Sequence, residues 1–143
     1  MVVDLIARTS VEVDAPPNRV WEVLLDPAKI KQFMFGTTVD TSWQPGSDIT
    51  WSGMWEGKPY QDKGKILRCE PEHILEYTHF SPLMGKPDVP SSYHTVTIEF
   101  SHAGNGTRLT LSQNHNATEE ARAHSEKNWR MMLGTIKSIV EGR

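Results

Sequence analysis

The stretch that decides the fold runs His94-Thr95-Val96-Thr97-Ile98-Glu99-Phe100-Ser101-His102-Ala103-Gly104-Asn105-Gly106-Thr107-Arg108-Leu109-Thr110-Leu111-Ser112-Gln113-Asn114-His115. Val96, Ile98 and Phe100 alternate with polar residues on one side of Asn105-Gly106, and Leu109 and Leu111 alternate on the other. A period of two sends successive side chains to opposite faces of a strand. Asn-Gly suits a tight hairpin turn whose two central residues need positive φ. The segment therefore predicts an antiparallel pair, about 92 to 102 and 107 to 115, with one apolar face. A turn is also the better reading of Asn105-Gly106-Thr107, which matches the glycosylation pattern by spacing alone.

Working outward, the period changes after the hairpin. Ala121, Ser125, Asn128, Trp129, Met132, Leu133, Ile136, Ile139 and Val140 fall on one helical stripe, and Asn116 with Glu119 three residues on reads as a capping-box start. A helix from there to about Glu141 has about 24 residues, a rod of roughly 36 Å that can cross a whole sheet. Upstream, alternation and turn residues predict strands at about 37 to 43, 48 to 55, 60 to 70 and 73 to 80, broken at Pro45-Gly46, Glu56 to Pro59 and Glu70-Pro71. Val3 to Val13 reads as a first strand. Asp14 is placed to cap a short helix from Pro16 to Leu25, and Asp26-Pro27 opens a helical turn through Ile30 and Phe33. Strand, two short helices, strands, long helix is an α+β order, an antiparallel sheet with one face covered by helix.

At 143 residues and net charge −3, the chain is expected to be one domain over 1–143 with an ordinary soluble composition. Its 15 Lys and Arg form no run, so neither nucleic acid nor an anionic membrane is an expected partner. No stretch approaches the roughly 18 apolar residues of a membrane span, and the N-terminus lacks a basic segment followed by an apolar one. A cytoplasmic location is expected, in keeping with the lone Cys69, which has no partner for an internal disulfide.

Four segments in order resemble the START-like, or birch-pollen-allergen-like (SRPBCC), superfamily, and within it proteins related to the C-terminal domain of the activator of the heat-shock protein 90 ATPase. They are Val13-Asp14-Ala15-Pro16-Pro17-Asn18-Arg19-Val20-Trp21 with Leu24 and Asp26-Pro27; Gly64 to Pro71 leading to Leu75-Glu76-Tyr77; Gly106 to Leu111; and Trp129 with Leu133, Ile136 and Lys137. Two positions depart from the pattern: Asn128 stands where relatives often have glycine, and His79 where an aromatic residue is common. The resemblance implies a helix-grip fold, a curved antiparallel sheet wrapped around the long C-terminal helix, with a hollow between them that holds small apolar molecules in many relatives. Relatives also include polyketide cyclases, lipid carriers and the chaperone activator, so fold alone does not assign a role.

The residues themselves point to the same hollow. Strand alternation puts Leu75, Tyr77 and His79 on one face, His94, Val96, Ile98 and Phe100 on a second, and Leu109, Leu111, Gln113 and His115 on a third. An apolar wall with a few convergent polar groups is the general form of a small-molecule site. The expected lining is Trp51, Gly53, Trp55, Tyr77, His79, His94, His115, Asn128 and Met132. Gly53, between two tryptophans, suggests a bulge or a close ligand approach. Met131 and Met132 are read as one surface and one core residue, and Ser81 to Ser91 is long enough to be a lid. The sequence assigns no catalytic residue and no cofactor. No His or Cys pair has zinc spacing, so no metal is expected. No G-x-S-x-G occurs, and Cys69 reads as an inert thiol. Acid–base work by His79, His115 or Glu76, as in a cyclase or dehydratase, needs only a perturbed site. The partner expected first is thus a small apolar or aromatic molecule. A protein-interaction module of the chaperone-activator kind is the alternative, and it requires an exposed apolar patch. Few apolar residues fall on faces read as exposed, which favours the cavity.

Overall fold

In a computed structural model that describes residues 4–142, apart from the side chain of Met84, the chain forms a seven-stranded antiparallel sheet and three α-helices. In chain order these are β1 (Leu5–Val13), α1 (Pro17–Leu25), α2 (Pro27–Phe33), β2 (Thr38–Thr41), β3 (Asp48–Trp55), β4 (Lys58–Glu70), β5 (Ile74–His79), β6 (His94–Ala103), β7 (Gly106–Asn116) and α3 (Glu119–Glu141). The predicted start of the first strand at Val3 lies outside the described residues. The spatial order β1-β7-β6-β5-β4-β3-β2 follows from hairpin connections, except that β1 closes against β7 from across the sheet. The curved sheet gripping α3 is the helix-grip fold.

Three local expectations are corrected. The hairpin turn between β6 and β7 is Gly104-Asn105 rather than Asn105-Gly106, because Ala103 pairs with Gly106. Only its first central residue, Gly104, has positive φ (57°), the requirement of a type II′ rather than a type I′ turn. Gly106 is needed for closeness instead, since a Cβ there would lie 2.3 Å from the Val13 carbonyl oxygen. Asp14 does not cap α1: Pro16 is the N-cap with no side-chain bond, and the Asp14 N–H donates to Glu141 Oε2 at 2.8 Å. Thr118, not Asn116, caps α3, its hydroxyl accepting from the Ala121 N–H at 3.0 Å. Asn116 ends β7, donates to the Leu5 carbonyl at 2.9 Å and accepts from the Ser125 hydroxyl, so it ties the sheet to the first half of α3.

The two halves of α3 differ in packing. Its buried residues, Met132, Leu133, Ile136 and Val140, all lie in the C-terminal half, against the strand residues Val13, Leu109 and Leu111 and the α1 residues Val20 and Leu24. That end is also clamped by polar contacts. Lys137 Nζ donates to the Glu12 carbonyl and the Arg19 guanidinium to the Val140 carbonyl, each at 2.7 Å. Burying an aliphatic side chain contributes about 1.5 to 3 kcal/mol, so this half carries most of the helix's apolar anchoring. The N-terminal half presents Asn128 to solvent and Trp129 half-buried, and Met131, just past the middle, is exposed.

Candidate ligand site

Between the sheet and the helices the interior is nearly full. An apolar space of only about 20 Å³ remains, bordered by Trp43, Trp51, Leu75, Tyr77 and Ile98 together with Phe33, Met34 and Met132. That is room for about one water molecule. Phe33, Met34 and Met132 also line a surface groove of about 240 Å³ whose other walls are Phe35, Gln113, Ser125, Asn128 and Trp129. Three side chains therefore separate the groove from the inner space, and two of them are methionines, whose unbranched chains repack readily.

The groove's walls are held by specific bonds. Trp129 Nε1–H donates to Gln113 Oε1 at 2.7 Å, which fixes the ring against β7 and satisfies a buried amide. On the opposite side the Tyr60 hydroxyl bonds to Thr37 Oγ1 at 2.8 Å, and the Thr37 hydroxyl donates to the Met34 carbonyl at 2.8 Å. This chain pins the connection from α2 to β2, where Phe35 has positive φ (55°) and is 69% exposed. Gly53 belongs to this support. It pairs with Tyr60 with no register shift, and a Cβ there would lie 2.8 Å from the Tyr60 hydroxyl oxygen. It is neither a bulge nor a ligand contact; it makes room for the ring that fastens the groove.

The other expected lining residues divide. Trp51 and Tyr77 are buried with ring centroids 5.2 Å apart, and both border the inner space, as Met132 does. Burial pushes the Tyr77 hydroxyl far above its ordinary titration range, so it stays protonated, and no described residue hydrogen-bonds it. Met132 is 5% exposed and Met131 54%, the split the sequence suggested. Asn128 is on the groove rim, bonded to His124 rather than facing the sheet. Trp55 is 61% exposed at the β3–β4 hairpin and lines neither space. His115 leaves the inward pattern because its backbone turns left-handed (φ 57°), and its Nδ1 meets the Tyr93 carbonyl. Glu76 is on the opposite face of the sheet, accepting from the Thr97 hydroxyl at 2.8 Å. His94 and His79 do face inward, one opposite the other on β6 and β5. His94 Nδ1–H donates to the Asn114 carbonyl at 2.8 Å, and desolvation holds its imidazole below the ordinary 6.5. His79 Nε2 lies 2.8 Å from a carboxylate that sequence reading missed, Asp62.

The segment 81–91 does not lie over the groove. It packs on the sheet's outer face, where Phe80 stacks on Tyr93 at 5.1 Å and Asp88 pairs with both Lys63 and the Tyr93 hydroxyl. Between this segment and β3–β4 is a recess of about 600 Å³. Its two lysines, Lys63 and Lys65, are already paired with Asp88 and Asp48. Cys69 is half-buried, and burial raises its thiol's pKa, which lowers its reactivity. Among the described residues no three His, Cys, Asp or Glu side chains converge on a metal position, and no helix is long and apolar enough to cross a membrane. Exposed apolar residues are more numerous than the pattern suggested: Ile6, Phe35, Met54, Trp55, Leu67, Leu83, Val89 and Met131, spread over six segments.

Sheet, gripped helix and groove define a START-like domain. The chain belongs to the Activator of Hsp90 ATPase homolog 1-like family, whose model matches residues 14–141. It is similar to ChR145 of Cytophaga hutchinsonii, a solution structure 47% identical with a TM-score of 0.87, the match covering 99% of this chain and 97% of that one. CalU16 of Micromonospora echinospora is 25% identical, with a TM-score of 0.68 over 96% of this chain and 75% of CalU16. Ara h 8.0201, 12% identical, shares the fold at a TM-score of 0.77 over 99% of this chain and all (100%) of its own. No protein with a curated description matches significantly.

Proposed function

We propose that the protein binds a small apolar or aromatic molecule with one polar handle, seated in the groove and reaching inward by displacing Met34 and Met132. One observation carries the reading: among the described residues the groove and the apolar space beside Trp51 and Tyr77 share three side chains as their partition, Phe33, Met34 and Met132. A ligand that reaches the inner space also comes within reach of Tyr77, whose side chain borders it. The groove's 240 Å³ falls just short of the usual ligand range of about 300 to 1,000 Å³, and moving the two methionines extends it. A thermal-shift screen of small aromatics tests this, because a molecule bound only by the native state raises the melting temperature. Met132→Trp, which fills the passage, is expected to abolish the shift in a protein that still unfolds cooperatively. A shift that survives in that variant places the binding elsewhere.

A protein-interaction role has its own support in the adjacent exposed pair Met54 and Trp55 on the β3–β4 hairpin. Stimulation of an Hsp90-type ATPase that Trp55→Ser removes is the result that would favour it.

A further inference from the structure

Gln113 stands on β7 between Ala7 of β1 and Val96 of β6, and its side chain reaches across to Trp129 of α3. The residue is only 7% exposed, and it borders the groove but neither the inner space nor the outer recess. Its carboxamide has a defined orientation. An indole N–H can only donate, so the atom 2.7 Å from Trp129 Nε1 is the amide oxygen, and the amide nitrogen Nε2 points away from the indole. No described residue accepts from that nitrogen. Nor is it sealed in. Among the described residues the wholly buried side-chain polar atom without a partner is Asp62 Oδ1, so Gln113 Nε2 has an open side, and the space that Gln113 lines is the groove.

The rest of the groove offers no comparable donor. The Asn116 amide donates to the Leu5 and Gln113 carbonyls at 2.9 and 3.1 Å, which turns its oxygen toward Ser125. The Ser125 hydroxyl therefore commits its proton to that oxygen, at 3.1 Å. Asn128 is exposed on the rim and bonded to His124. The phenylalanine and methionine walls carry no polar hydrogen. Gln113 thus holds the two N–H donors that meet the groove from a buried position, and whatever pairs with them must accept. No Lys, Arg, Asp or Glu lines the groove. A carboxylate seated there would lose water without gaining an opposite charge, whereas a neutral carbonyl accepts the same bond at a smaller desolvation cost.

We propose that Gln113 Nε2 is the polar anchor of the binding site, and that the site selects neutral aromatic ligands with a carbonyl acceptor, such as aryl ketones, over carboxylates. The inference rests on the ligand-binding reading above and adds the ligand class to it. Three compounds with one ring system test it against the full chain at mildly alkaline pH: 1-acetonaphthone, 1-isopropenylnaphthalene, in which a methylene replaces the carbonyl oxygen, and 1-naphthoate. Gln113→Glu keeps an oxygen for Trp129 and exchanges the donor group for a second acceptor. That variant is expected to lower the ratio of ketone to alkene affinity at least about fivefold, the worth of one hydrogen bond. An unchanged ratio overturns the role of Gln113 and leaves the apolar site standing. Naphthoate binding the unaltered protein more tightly than the ketone overturns the preference for a neutral acceptor. Binding by none of the three overturns the ligand-binding reading as well. Side-chain amide NMR of the unaltered protein gives a check that needs no variant. The ketone is expected to move one of the two Gln113 Nε2 protons downfield and the alkene to leave both in place; a bound ketone that moves neither overturns the proposal.

Discussion

The two ends of the space between sheet and helix are built from different chemistry. At the closed end Val13, Val20, Leu109, Ile136 and Val140 are at most 2% exposed, and backbone carbonyls of β1 and α3 are clamped by Lys137 and Arg19. At the open end the inward positions are Tyr77, His79, His94 and Gln113, and the helix contributes Ser125, Asn128, Trp129 and Met132. Packing is thereby divided along one helix, and the proposed ligand site falls at its less buried end. The closed end supplies aliphatic burial, and its buried polar groups, Thr107 and Glu141, already have partners in the Ala15 carbonyl and in Lys137 with the Asp14 N–H. The open end gives up burial for groups that a bound molecule can complete.

The comparison breaks most sharply on a core truncation. Ile136→Ala is expected to lower unfolding free energy by about 2 to 5 kcal/mol, as buried large-to-small changes do, read as a drop in the urea midpoint. A midpoint that barely moves would mean the closed end does not anchor α3. Trp129→Ala is expected to lose less, about 2 to 3 kcal/mol, because the ring is half-buried and much of the loss is the Gln113 oxygen left without its donor. Trp129→Phe keeps one aromatic ring but loses the N–H and the rest of the indole, so Gln113 Oε1 is again without this donor, and it is expected to recover less than half of the stability lost in the alanine variant.

A pH experiment sharpens the comparison next. His94 is held below 6.5 by desolvation, chiefly, with the neighbouring His79, Lys86 and His115 acting the same way against its bond to Asn114. The unfolded chain therefore binds a proton at pH values where the folded chain does not, and stability rises with pH through that window. The contribution is complete above 6.5 and is lost as pH falls from 6.5 toward the lowered folded value. His94→Gln is expected to flatten the slope of stability against pH below 6.5 relative to the unaltered protein; parallel slopes would place His94 in water. Smallest of all, Met131→Gln at the exposed position beside Met132 is expected to change stability by no more than about 0.5 kcal/mol.

Much of this architecture is legible in the residues because it is periodic. Alternation at Val96, Ile98, Leu109 and Leu111 places the concave face, and the stripe from Met132 to Val140 places the helix against it. What escapes is whatever depends on register between distant strands or on a single backbone angle. Asp62 sits among polar residues of β4, and only the pairing of Lys63 with Phe80 brings it diagonal to His79. His115 has the right parity to face inward, yet one left-handed φ removes it. Gly53 carries a signal of closeness correctly, but the sequence cannot say that the close neighbour is Tyr60 rather than a ligand. The capping residues miss by short shifts for the same reason, since Asn116 and Thr118 both suit the role and the sheet claims the first.

On the proposed reading, ligand enters at the open end alone. Backbone amide NMR during titration with 1-naphthol tests it most directly. Shifts are expected to concentrate at Phe33, Met34, Tyr77, Gln113, Trp129 and Met132, with Val13, Val20 and Val140 unmoved. Shifts concentrated instead on the outer face, at Asp48, Lys65 and Tyr93, would contradict it.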